Sequence, residues 1–126
     1  MPLLYRVAAT WSARTGPLLL WAGFTATLAW WWRRPMERES VAMAERRVGL
    51  LGGFAALLML LATHLKPFTA TLPGSLPGEL SPLLQTDLMV VHPPLVFLAY
   101  AYCLSIAATA IASVGHEDPG LLERLI

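Results

Sequence analysis

The chain has 126 residues, 56% of them hydrophobic and 13% charged, with a formal net charge of +1. Soluble domains carry about 25% charged residues, so the composition argues against a soluble globular protein, and the near-neutral balance suggests no nucleic-acid partner. The single cysteine, Cys103, excludes an intrachain disulfide and a Cys-x-x-Cys site, and reads as a small packing residue.

The apolar residues fall into long blocks over 17–32, 48–63 and 88–114. A bilayer core about 30 Å thick needs about 20 apolar helical residues, with a lower limit near 17. The second and third blocks qualify. The first does so only with Thr15, Gly16 and the following tryptophans counted at the interface. The expected fold is an all-α integral membrane segment, one unit over 1–126. Its three transmembrane helices cover about 15–33, 47–64 and 92–114, joined by loops 33–47 and 65–91. Continuous apolar runs without a polar stripe do not suit a soluble amphipathic bundle. A cleaved secretory signal is also disfavoured: Trp30-Trp31-Trp32-Arg33-Arg34 stands where a small-residue cleavage site would be.

In chain order, Trp30-Trp31-Trp32 beside two arginines reads as an interfacial aromatic belt with a positive flank. Ser40 is placed to cap a short helix from Val41 onward. The 33–47 loop holds Arg33, Arg34, Arg38, Arg46 and Arg47, whereas the 65–87 loop has Lys66 as its basic residue. Positively charged short loops stay in the cytoplasm. The N-terminus, with Arg6 and Arg14, and the 65–87 loop are then outside, and the tail after Val114 is cytoplasmic. Gly49-x-x-x-Gly53, and Ala99, Cys103 and Ala107, are small-residue stripes for helix packing, open to helices beyond these three. The outer loop, with Pro67, Pro73, Pro77, Pro82, Gly74 and Gly78, is turn-rich rather than a folded domain. Buried acidic residues are absent from the apolar blocks, which weighs against a fragment of an ion-handling or quinone-handling complex.

His92-Pro93-Pro94 stands where the outer loop becomes the third helix. Proline is tolerated in a first helical turn, where its missing N–H has no helical partner. Pro93 also disfavours the α region for His92. The expectation is that His92 caps the helix, or immediately precedes it, at the outer membrane surface. Such an imidazole suits haem iron, copper or zinc. Phe97, Tyr100 and Tyr102 offer aromatic area below it, and a bare metal ion would want three or four ligands. A plain interfacial histidine fits the same spacing. His64, at the outer end of the second helix, is either a second axial ligand or interfacial. His116, beside Glu117 and Asp118, reads as solvated.

Leu80-Ser81-Pro82-Leu83-Leu84-Gln85, followed after six residues by His92-Pro93-Pro94-Leu95 and then Ala99-Tyr100, resembles the CcmF/CcsA family of cytochrome c biogenesis proteins, the haem lyases. Its pattern is close to L-N-P-L-L-Q, six residues, then H-P-P-x-x-x-x-G-Y. Upstream, Tyr5-Arg6-Val7-Ala8-Ala9-Thr10-Trp11 and Gly16-Pro17-Leu18-Leu19-Leu20-Trp21 look like Y-x-V-A-x-x-W-x-x-x-E-G-S-L-L-L-W. Pro67-Phe68 and Leu72-Pro73 are similar to N-P-F and L-P. The resemblance runs collinearly over about 4–114.

It implies cytochrome c maturation at a bacterial inner membrane. His92 would be the axial ligand of a b-type haem in transit at the periplasmic face, with Tyr100 and His64 as weaker contributors. The implied partners are a haem chaperone, apocytochrome c, other maturation subunits or the remaining portion of a CcmF-like protein, and the lipid bilayer. The implied activity is part of a holocytochrome c synthase, incomplete in this chain alone. The contrasting expectation is a cofactor-free structural or assembly subunit. The departures are specific. Thr15-Gly16-Pro17 stands for E-G-S, Lys66 for the asparagine of N-P-F, and Ala99 for the glycine before Tyr100. The family's W-G-x-W-W-x-W-D-P segment and its other haem-ligand histidines have no counterpart in this sequence. The expectation is correspondingly a split subunit, a truncated product or a fragment covering an N-terminal portion.

Overall fold

The computed structural model describes residues 3–12, 15–35, 39–66, 74 and 86–114. Four α-helices account for nearly all of them: α1 (Leu3–Ser12), α2 (Gly16–Trp31), α3 (Val41–His64) and α4 (Asp87–Ser113). Pro67, Pro73, Pro77, Pro82, Gln85, Arg38 and His116, on which parts of the sequence argument rest, lie outside the described residues.

The short α1 has no counterpart among the expected elements. Ten residues are too few for a span, and its apolar positions are not continuous. It buries Ala8 and packs on α2 and α4, while Leu3, Leu4 and Val7 stay exposed. The corner into α2 is tight. A Cβ on Gly16 would meet the Thr10 carbonyl oxygen and would stand 2.6 Å from Trp11 Cα, so only glycine fits there. Pro17 follows in the first turn of α2, where its missing N–H is harmless.

Helix α3 begins at Val41, six residues before the expected 47. The Ser40 hydroxyl oxygen accepts from the Met43 amide at 3.2 Å, an N-cap that starts the helix. Helix and apolar span are one element, so Glu45, Arg46 and Arg47 lie inside α3 rather than in a loop. Arg47 is fully buried. Its guanidinium pairs with Glu39 at 2.7 Å and donates to the carbonyl oxygens of Trp32 (2.9 Å) and Arg34 (3.5 Å). Trp32 is the C-cap of α2, whose last carbonyls have no later turn to satisfy them, and Arg34 lies two residues beyond it. At its other end α3 passes through Leu65 to Lys66, which adopts φ +51°, and the Lys66 amide donates to the Thr63 carbonyl at 3.0 Å.

Arg47 at the start of α3 meets the end of α2, so these helices are antiparallel. Trp21 meets Phe97 and Tyr100, and Trp32 meets Tyr102, so α2 and α4 run in the same direction. The centre is small: Ala29, Leu51 and Ala108 form the buried cluster, with Leu50 and Leu104 against it. Alanines elsewhere in the core (Ala22, Ala44, Ala55, Ala62, Ala101, Ala112) let the helices approach closely. The exterior is the greasy side. Leu57, Leu60, Leu61, Leu95, Ile106 and Ile111 are all exposed.

Helices α3 and α4 are long and apolar enough to cross a membrane, and about a quarter of each apolar window is buried (28% and 22%). A core helix of a soluble protein would instead be mostly buried. Helix α2, with 16 residues, is about 24 Å long at 1.5 Å per residue, short of the bilayer core by itself.

Candidate functional site

His92 is not at the helix cap. Helix α4 starts at Asp87, with Thr86 as the extended N-cap residue, so His92 lies five residues further on, in the second turn. Pro93 and Pro94 are inside the helix. An interior proline ordinarily breaks a helix, because its missing N–H deserts the carbonyl four residues back and its ring crowds that turn. Here those carbonyls belong to Met89 and Val90. The Trp11 indole N–H, 78 residues away in the chain, donates to the Met89 carbonyl at 2.9 Å. A tertiary donor thus stands in for the backbone donor that Pro93 lacks. Asp87 in the first turn adds favourable charge at the positive end of the helix dipole.

The face that carries His92 follows from the helix period, about 100° per residue. Ala101, Ser105, Ala108 and Ala112 are the buried residues of α4. By that period they lie within about 40° of the side opposite His92. Leu88, Leu95, Ala99, Cys103 and Ile106 share the His92 side, and all are exposed. The imidazole therefore points away from the three-helix core, flanked by leucines, and it makes no hydrogen bond or ion pair among the described residues.

His64 ends α3 at the same end of the bundle. Leu51 and Ala108 share the core cluster. His64 is about 20 Å beyond Leu51, and His92 about 24 Å before Ala108, in helical rise. His64 also stands opposite the buried stripe of its own helix and is exposed. The two imidazoles share an end but not a face, and this arrangement does not bring them together.

Tyr100 is half exposed and stacks on Trp21 and Phe97, both at 5.7 Å between ring centroids. Its ring helps to join α4 to α2. Tyr102 packs on Trp32 instead, at 5.9 Å, about 15 Å along the helix from His92. Trp30 and Trp31 are exposed, with the Arg33 guanidinium 4.9 Å above the Trp30 ring, as an interfacial belt with a basic flank would be. Gly49, Gly52 and Gly53 face open space, so the glycine stripe of α3 packs on neither α2 nor α4. No group of three or more His, Cys, Asp or Glu side chains capable of holding a bare metal ion occurs among the described residues.

The sequence of this chain is similar to those of known proteins. The chain is 40% identical over 121 residues to the cytochrome c-type biogenesis protein CcmF of Escherichia coli, covering 90% of this chain and 18% of that protein. It is 31% identical over 117 residues to the probable cytochrome c-type biogenesis protein NrfE of the same organism, covering 86% and 20%. Against CycK of Rhizobium meliloti the identity is 30% over 120 residues, covering 87% and 17%.

The chain matches a CcmF-like portion of these cytochrome c biogenesis proteins.

It spans about a fifth of the length of the curated relatives it matches. No protein-family model matches the chain. No solved structure matches it either. Within this CcmF-like chain, sequence reasoning singled out His92 as a candidate but not the residues that hold its turn. Trp11 was visible only as one letter of a resembling pattern, and Gly16 likewise. A buried role for Arg47 had one available signal, Glu39 at eight residues' remove across the cap, and charge counting passed over it.

Proposed function

We propose that this CcmF-like chain is a membrane-embedded portion of a cytochrome c maturation protein that offers His92 as an axial ligand to haem at the periplasmic side of the inner membrane. The observation that carries the reading is the exposed His92 imidazole, unengaged among the described residues. It stands on a reinforced helix turn between exposed leucines, in a chain similar to proteins named for cytochrome c biogenesis.

The residues present fit a haem. One ring nitrogen is free for iron, Leu88 and Leu95 offer apolar contact to a macrocycle, and the outward face leaves room for it. A bare metal ion would find too few ligands among the described residues. A b-type haem in transit supplies vinyl groups that take up the thiols of apocytochrome c. This chain's share is to hold the iron from one side and keep the group at the surface. His64 faces elsewhere, so the second ligand comes from outside the three helices. The remaining portion of a CcmF-like protein is the natural source, with a haem chaperone delivering and apocytochrome c receiving. Helix α2 crosses as the third span with its Trp30–Trp32 belt and flanking residues at the interface. The arginines around 33–47 then lie in the cytoplasm and His92 outside.

The reading of a cofactor-free assembly subunit has one observation in its favour, the open glycine face of α3. Haem content separates the two. In membranes supplied with haem, the purified protein with its companion subunits is expected to carry haem by the pyridine haemochrome assay. His92→Ala is expected to lose at least tenfold of it and His64→Ala less than twofold, set against the 10–100-fold typical of losing even an outer-shell partner. Equal haem in wild type and His92→Ala refutes the assignment.

A further inference from the structure

We propose that Trp11 is a positioning residue for His92. Its indole N–H replaces the backbone donor that Pro93 lacks, and so holds the turn of α4 on which His92 stands. Three observations converge. The carbonyl that Pro93 deserts is that of Met89, and the indole reaches that oxygen, at 2.9 Å. The donor arrives from α1, which is fixed to the bundle by buried Ala8 and by a corner with no room for a Cβ at Gly16. Met89 precedes His92 by nearly one turn, so the tilt of this turn sets where the imidazole projects.

Few alternatives explain the contact. A tryptophan serving only as an interfacial anchor would point its N–H to water or headgroups. Here it is spent on a part-buried backbone oxygen of another helix. The hydrogen bond satisfies the Met89 carbonyl, one of the two that the prolines desert, as the helix continues through them. Each ligand-bearing turn of this kind needs an outer contact to fix its direction. In this chain α1 provides it, which gives the ten-residue helix a reason to exist.

The test uses the full chain and begins without haem, so that it does not depend on the ligand reading from which the idea extends. Protein labelled with 13C at methionine carbonyls and at histidine Cε1 is assigned through Met89→Leu and His92→Ala. Trp11→Phe keeps an aromatic ring but removes the N–H. It is expected to move both the Met89 carbonyl and the His92 resonances, whereas Trp11→His, which keeps a ring N–H, moves them less. Pro93→Ala restores a backbone N–H to the turn, so adding Trp11→Phe to Pro93→Ala is expected to leave both resonances unchanged. That non-additivity marks a shared partner. Resonances unmoved by Trp11→Phe, or shifts of equal size in the Pro93→Ala background, overturn the proposal. If Trp11→Phe does not fold, the comparison within the Pro93→Ala background and the Trp11→His spectrum decide it. With haem added, Trp11→Phe is expected to bind about tenfold less, and the loss is expected to vanish in the Pro93→Ala background. Should His92→Ala keep its haem, the ligand assignment fails while the carbonyl and imidazole shifts still judge Trp11.

Discussion

Arg47 shows how far a charge count can stray from a side chain's role. In the sequence it is one of five arginines marking a cytoplasmic loop. In the fold it is fully buried, pairs with Glu39, and ties the start of α3 to the C-cap carbonyl of α2 at Trp32. Removing one partner of a buried pair leaves the other uncompensated and costs about 3–5 kcal/mol. Arg47→Met is therefore expected to lower unfolding stability in detergent by that amount. Combining it with Glu39→Gln should recover part of the loss, and a fully additive pair would contradict the pairing. Lys66 makes the complementary case. Its φ of +51° is a left-handed conformation that suits glycine or asparagine. The resembling family pattern has asparagine there. Lys66→Asn is expected to raise stability by about 0.5–1 kcal/mol, read from the same denaturation curves.

At the level of elements, the long apolar helices were legible because composition and length suffice to find them. Their starts were less so. The Ser40 cap was visible, yet the charged residues after it hid the fact that the capped helix and the apolar span are continuous. At His92-Pro93-Pro94 the local rule pointed to a helix beginning. The rule failed because the donor that rescues an interior proline lies 78 residues upstream, beyond any local pattern. Helix α1 escaped for another reason: its apolar residues recur at a helical period, but ten residues are too short to stand out among blocks of membrane-spanning length. The glycines make a testable contrast. Gly16→Ala forces backbone apart at the α1–α2 corner, and overpacking of this kind costs about 1–3 kcal/mol. Gly49→Ala enters open space in a helix interior and is expected to be neutral or to stabilise by up to about 1 kcal/mol. Thermal melts of the two variants check it, and equal losses would contradict the packing described.

The whole molecule is a thin bundle with mostly small residues inside and many large apolar side chains outside, its candidate ligand on the outer face, and a length about a fifth of its CcmF-type relatives. A self-sufficient site would turn its histidines toward one another, whereas His64 and His92 face apart. Under the proposed reading the chain would contribute one side of a ligand pair, carried on α4. The proposed periplasmic side rests on the arginine count and is open to a direct check. Reporter fusions after Arg34 and after Gly74 are expected to report cytoplasmic and periplasmic locations respectively. The central claim is that the His92 imidazole itself ligates haem iron. The most direct measurement is chemical rescue: His92→Gly, haem-loaded with its companion subunits, examined by visible and resonance Raman spectroscopy with and without free imidazole. The account predicts that the variant loses the histidine-ligated spectrum and that added imidazole restores it. A spectrum in His92→Gly identical to wild type before imidazole is added would contradict it.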